Sequence, residues 1–454
     1  MQDQAISRLA SRLEQFMMRF GYEKIETPII QPAELFLTKA GDQIIHRLFT
    51  FERLGRQLAL RPEFTATAAR AYITQFPADQ QPVVRWQFGG SIFEEGSGDS
   101  QRYSIGAELI GQPSTGDAGA AAEAEIIALA ASGAAADADE ASPRWTLVIG
   151  HAQLMRVLLE RFRLDSRTQR FLLHHLPYLR QTGKAFVLDQ LDQLLLGSGG
   201  QDEAGAEAVS ELSTQQMLDV LLDATQRGVT MGGRTRHDIV RRLLEKRQRA
   251  TERGQVVAAL DFLEAWSAIS AGPETAFSQI ERLFTPDDAE ARRVLNEWRT
   301  VIALLDAYGI PASQIRIEPA LARSWDYYTG IVFELWSENG YHVGGGGRYD
   351  ELARLVGGER NVPAVGFAYY VDQLLAALPP AAPQVQQPIR ITAASYPDAI
   401  RWAQALRQRG QIVILQDNTD ADAYVAHSDG SLRRADHIYT TADELLAGLE
   451  GTPA

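Results

Sequence analysis

The sequence predicts an α+β fold: a mainly antiparallel sheet flanked by helices, a helical insertion, and a small C-terminal α/β domain. Three observations carry this reading. Short strand-like segments joined by tight turns fill residues 1–150 and return in 311–377. Residues 151–310 carry an almost unbroken helical pattern. A proline-rich linker at 378–388 then precedes a β-α-β pattern within 389–454.

Residues 3–21 form an amphipathic pattern with Ile6, Leu9, Leu13, Phe16, Met17 and Phe20 on one side. Residues 24–30 alternate as a short strand, and Pro28 removes one ladder donor, which places that strand at an edge. Residues 48–52 and 57–61 read as a hairpin closed by Leu54, Gly55 and Arg56. A helix over 65–75 and strands near 84–89 and 104–109 follow. Residues 112–144, rich in Ala, Gly, Asp and Ser, read as a mobile loop with a helical portion around 122–132. After a strand at 145–149 and the insertion, strands resume at 316–317 and 328–336, with a second hairpin near 341–344. Residues 389–393, 399–408 and 412–415 complete the β-α-β pattern.

The 454 residues carry a net charge of -14 and no cysteine. Disulfides and thiolate metal sites are thereby excluded, and neither a metal nor a cofactor is expected. Tight nucleic-acid binding needs cations that displace phosphate counterions, so the acidic balance argues against tRNA as a ligand. Residues 234–253 are an exception, densely basic. They suit either an RNA contact or the solvated face of a helix with Leu243 and Leu244 inward, and the second reading is preferred. No leader-like start and no bilayer-length apolar run is seen, so a cytoplasmic location is expected.

Three stretches carry chemistry. Residues 60–66 read Leu-Arg-Pro-Glu-Phe-Thr-Ala, residues 321–334 contain Arg323, Tyr327 and Tyr328, and residues 344–350 read Gly-Gly-Gly-Gly-Arg-Tyr-Asp. Glu63 is a natural partner for an ammonium group. Tyr327 and Tyr328 offer aromatic walls with polar tips. The glycine run permits close backbone approach but lacks the Lys-Ser or Lys-Thr of a phosphate-binding loop. On the residues alone, a tight hairpin beside a buried tyrosine pair is the preferred explanation.

In order and spacing these stretches resemble histidyl-tRNA synthetases, and the resemblance covers nearly all of residues 1–377. It implies a class II aminoacyl-tRNA synthetase-like core, with residues 21–36 as the dimerisation motif and the third class II motif starting near Val362. The domain after residue 388 is similar to a truncated anticodon-binding domain. The resemblance further implies a histidine pocket built from Glu63, Thr65, Glu108, Arg323, Tyr327 and Tyr328. Phe64 stands where the family has glycine and is expected to fill part of that pocket.

Adenylate formation needs cations on the polyphosphate as charge develops at the α-phosphate. The resemblance places the arginine of the second motif at Phe93, or at Glu94 after a one-residue shift. It places the arginine of the third motif at Gln373. Phe93 and Gln373 are therefore expected to face a degenerate ATP site, unless Arg85 or Arg102 approaches it. A scaffold that keeps the amino-acid pocket without these cations is similar to the regulatory-subunit branch of the family. That branch implies a non-catalytic role in the first step of histidine biosynthesis, with histidine as feedback ligand. It also implies a short-form ATP phosphoribosyltransferase catalytic subunit as partner, and a homodimer within a larger hetero-oligomer. The competing reading is a divergent but active histidine–tRNA ligase.

Overall fold

The computed structural model describes residues 2–37, 46–96, 99–135, 145–196, 253–378, 389–416 and 423–450, with breaks at 166–167, 170, 174, 177–178, 180–182, 322, 324–326, 395 and 436. The basic run lies outside the described residues except for Arg253. The chain divides into two compact units, Met1–Pro379 and Pro380–Ala454.

The first unit is built on an eight-stranded sheet. Its strands are β1 (Glu23–Lys24), β5 (Val84–Phe93), β6 (Gln101–Ile110), β7 (Trp145–His151), β8 (Ile315–Ile317), β9 (Ile331–Ser337), β10 (His342–Arg348) and β11 (Ala364–Tyr370). Their spatial order is β1-β5-β6-β11-β10-β9-β7-β8. The β1–β5 and β7–β8 pairs are parallel and the other pairs antiparallel. A separate antiparallel sheet holds β2 (Ile30–Pro32), β3 (Thr50–Arg53) and β4 (Arg56–Leu60). Its hairpin turns on Leu54 and Gly55, at φ 52° and 73°, the two positive dihedrals of a type I′ turn. The continuous strand expected over 24–30 is instead two short ones, β1 and β2, because Pro28 interrupts the ladder between two different sheets.

Alternation along the strands fixes the sheet's two faces. Ile105, Ala107, Leu109 and Val365 face the main core, with Leu9, Leu13 and Met17 of α1 (Gln2–Met18). Strand neighbours Gly106, Glu108 and Gly366 take the opposite face. The helical portion expected around 122–132 is observed and is longer, a buried helix α2 (Gly116–Ala135) that also takes in residues 116–121 and 133–135 of the expected loop. Small apolar residues occupy most of its circumference, which blurs the amphipathic period by which helices are recognised, although Glu123 and Glu125 also project from it. It is long and apolar enough to cross a membrane, yet lies mostly buried inside the protein. A Cβ on its Gly133 would stand 2.7 Å from the Tyr369 hydroxyl, so glycine there permits close packing on β11.

The described part of the helical insertion includes α3 (Ala152–Glu160), a helix over 253–267, and α4 (Ala289–Ala307). Leu158, Trp266 and Trp298 join the same core as the sheet. The expected strand over 328–336 begins later, at Ile331, because Thr329 turns to bond Arg348 O (2.8 Å) and Asp350 N (3.0 Å). The glycine run is not the tip of a hairpin. It is the middle of β10, flanked by β9 and β11.

In the second unit, β12 (Ile389–Ala393), the helix Tyr396–Arg407 and β13 (Val413–Gln416) make a parallel β-α-β unit. Three further strands extend the sheet in the order β13-β12-β14-β15-β16, with β14 at Tyr424–Ala426, β15 at Leu432–Arg434 and β16 at His437–Tyr439.

Candidate amino-acid pocket and degenerate nucleotide site

The pocket residues converge where β4 gives way to the helix Thr65–Gln75. Glu63 lies before that helix, and its carboxylate accepts from Ala66 N (2.8 Å) and from Thr65 N. It therefore caps a helix N-terminus, satisfying donors that the first turn leaves free. Thr65 Oγ1 bonds Glu108 Oε1 at 2.8 Å, and the Tyr349 hydroxyl bonds Glu108 Oε2 at 2.5 Å. Glu108 reaches this point from the centre of the sheet, opposite Trp86 and Gly366. The glycine is required: a Cβ at 366 would fall 1.4 Å from Glu108 Oε2.

Burial pushes the Glu63 carboxyl up to about 7 and the Glu108 carboxyl up to about 8, Glu108 further because Glu63 is nearby. Tyr327 is buried with its ring centroid 4.8 Å from Tyr328 and 5.9 Å from Tyr349. Arg323 lies along β10, 3.4 Å from Phe333 O, 3.5 Å from Glu334 Oε1 and 3.5 Å from the Tyr370 hydroxyl. A Cβ on Gly345 would meet Arg323 Nη1 at 2.1 Å, and one on Gly347 would meet the Tyr328 ring at 2.9 Å. All six predicted residues thus lie on one face of the sheet. Tyr349 was missed, although it sits within a motif already singled out.

Phe64 does not fill this pocket. Its ring stacks on Phe88 at 4.3 Å, with Ile92 beside it and the Arg61 guanidinium 3.8 Å from its centroid. Arg61 donates to Thr27 O (2.7 Å) and Ser91 O (2.9 Å), so this buried cation is committed to backbone carbonyls.

The nucleotide side corrects a second expectation. Phe93 pairs with Gln101 and follows Ile92 of the Phe64 cluster, so it points to the opposite face of the sheet. Glu94 lies next to it, with one oxygen 3.2 Å from Arg47 Nη1 and the other 3.0 Å from Arg102 Nη2. Arg102 also lies 5.2 Å from the Tyr370 ring centroid. Arg85 is drawn away by Glu125 at 3.0 Å. Gln373, on the helix Val371–Ala377, donates to Asp372 at 3.2 Å. Arg47 went unnoticed in the sequence, because an isolated arginine in a loop carries no motif.

A sheet of this order with a carboxylate-and-tyrosine pocket on its open face defines a class II synthetase-like protein. The family model described as histidyl-tRNA synthetase matches residues 1–227 and 183–374. An ATP phosphoribosyltransferase regulatory subunit of Allorhizobium ampelinum is 31% identical over 377 residues, 80% of this chain and 95% of that one. A histidine–tRNA ligase of Thermococcus kodakarensis is 27% identical over 376 residues, 81% of this chain and 69% of the ligase. The solved structure titled ATP phosphoribosyltransferase regulatory subunit/histidyl-tRNA synthetase, from Bacillus halodurans, superposes with a TM-score of 0.60 at 20% identity, covering 92% of this chain and 91% of that chain. The chain belongs to the ATP phosphoribosyltransferase regulatory subunit family, histidyl-tRNA synthetase paralogues with a class II synthetase-like fold.

Proposed function

We propose that the chain is a non-catalytic regulatory subunit that partners a short-form ATP phosphoribosyltransferase catalytic subunit and binds L-histidine for feedback control. The observation that carries the loss of synthetase chemistry is Glu94. Its carboxylate holds both Arg47 and Arg102, so neither is available to a polyphosphate without breaking an ion pair. A carboxylate close to a phosphate adds repulsion of about 4 kcal/mol at 4 Å for an effective dielectric of about 20. Gln373 adds no charge at the other position.

In this reading Glu63 receives the histidine ammonium, Arg323 its carboxylate, and Tyr327 and Tyr328 wall the imidazole. Histidine binding shifts the complex between active and inhibited assemblies in proportion to its differential affinity for them. The exposed Ile30, Phe51 and Leu54 of the small sheet suit burial against a second copy, which supports a homodimer within the hetero-oligomer.

The test is a pair of assays on the full chain. The purified protein is expected to raise the activity of a short-form catalytic subunit in a histidine-sensitive manner and to give no histidine-dependent ATP–pyrophosphate exchange. Robust exchange would favour the active-ligase reading, which the similarity to a histidine–tRNA ligase keeps in view.

A further inference from the structure

Arg323 reaches the open face of the sheet as a loosely held cation. Its side chain is 11% exposed, yet its contacts with Phe333 O, Glu334 Oε1 and the Tyr370 hydroxyl measure 3.4, 3.5 and 3.5 Å. A charge-assisted bond from a guanidinium to a carboxylate is shorter, about 2.7–2.9 Å. Glu334 does not close the gap, because its other oxygen accepts from Trp336 Nε1 at 3.1 Å. A largely buried cation so weakly paired favours an anion that comes closer.

The Tyr370 hydroxyl stands beside it. Gly366, Ala368 and Tyr370 alternate along β11 onto the open face, the face that holds Glu108. Arg323 lies over Gly345, the register partner of Ala368, so the Tyr370 ring leans back along its strand toward the pocket. Neighbouring groups fix the ring there. The Arg102 guanidinium lies 5.2 Å from its centroid, and the His342 ring meets it at 5.4 Å and 72°. His342 is in turn stacked on Trp336 at 4.7 Å. A phenol already fixed by its neighbours loses little rotational freedom on binding.

The direction of the Arg323–Tyr370 contact matters. A guanidinium can only donate, so the phenol oxygen accepts and its own O–H is left to donate elsewhere. That O–H has no protein acceptor among the described residues, and Tyr370 is half-buried, within reach of a ligand. Tyr369, its neighbour in sequence, shows the contrast. It is buried on the other face, and its hydroxyl is spent on Ala130 O.

The geometry points to Tyr370 as a further ligand-binding residue: with Arg323 it forms a two-part clamp for a carboxylate, guanidinium and phenol both donating to it. This rests on the reading that a free amino acid occupies the Glu63 pocket, and it adds a specificity to that reading. A ligand with an α-carboxylate receives donors from both residues. A ligand with a neutral group there leaves Arg323 with only the distant Glu334 as counter-ion.

The experiment compares L-histidine with L-histidinol, which keeps the ammonium and the imidazole but carries an alcohol in place of the carboxylate. Both are titrated by calorimetry into the full chain and into Tyr370→Phe, which deletes the hydroxyl and keeps the packed ring. Histidinol is read by displacement of histidine if it binds too weakly to titrate directly. Histidine affinity is expected to fall about tenfold in Tyr370→Phe, as for a lost hydrogen bond to a charged group, while histidinol affinity changes less than about twofold. A purely structural role for Tyr370 would weaken both ligands alike. Equal losses for the two, or unchanged histidine affinity, overturn the clamp and leave the histidine reading standing. Absence of histidine binding by the unsubstituted chain overturns both.

Discussion

Thr65 and Glu108 are joined by a 2.8 Å hydrogen bond between the start of a helix and the middle of a sheet. Glu63, two residues before Thr65, caps the same helix, so two carboxyls share one buried corner. Burial makes their ionisation costly.

The first prediction concerns pH. Both carboxyls are raised above their ordinary value, to about 7 and about 8, so the folded protein holds protons more tightly than the unfolded chain. Their contribution to the stability of the unliganded protein is fully present below about pH 4.5 and is lost as pH rises through about 7 and 8. An ammonium-bearing ligand favours the ionised forms, so histidine should bind more tightly as pH rises from about 7 to about 8.5, with proton release. Melting curves with and without histidine across that range check both signs; a histidine-induced shift that shrinks with pH would contradict them.

Glu63→Ala removes a charged partner of the bound ammonium. A hydrogen bond to a charged group contributes about 1.5–3 kcal/mol, so histidine affinity should fall roughly ten- to hundredfold. Loss of the cap should lower stability by about 1 kcal/mol, partly offset by relief of a buried acid. Calorimetry reads the first effect and denaturant unfolding the second.

Glu94→Gln releases Arg47 and Arg102 from their shared counter-ion. Affinity for inorganic tripolyphosphate should rise by a factor of about three to ten, and the gain should shrink with added salt. Unchanged affinity at low salt would mean that the two arginines are not held back by Glu94.

Phe64→Ala should cost about 3–5 kcal/mol of stability, as expected for a buried aromatic side chain that loses its stack on Phe88. Histidine affinity should be unaltered in the fraction that remains folded. A marked increase would restore the idea that Phe64 obstructs the pocket.

Much of the fold was legible because local pattern and tertiary role agreed. The helix Thr65–Gln75 is observed at its predicted bounds, and β5 and β6 appear at the predicted places, only longer. The middle of the buried helix Gly116–Ala135 was legible, but its ends were assigned to a loop, since their small residues resemble a low-complexity segment. The six residues expected to form the pocket were named from motif resemblance and not from periodicity, and the fold brings them to one face of the sheet. The ion group around Glu94 was not legible, because Arg47 and Arg102 are drawn together by folding across 55 residues of sequence. Nor could the sequence show that Phe93 lies on the far face: a strand's alternation must be anchored by its partners before each side is known.

The four glycines of β10 have a consequence for how such chains are classified. A Cβ at Gly346 would lie 1.9 Å from Gly366 O, and one at Gly347 would lie 2.3 Å from Ile331 O. Backbone on the neighbouring strands cannot yield that space, so the run is held in place by steric exclusion, whatever happens to the chemistry above it. A signature that survives for architectural reasons outlives the reaction it once accompanied. Proteins that have abandoned ligation will go on displaying it, and catalytic competence is better judged from the charged side chains around the cleft.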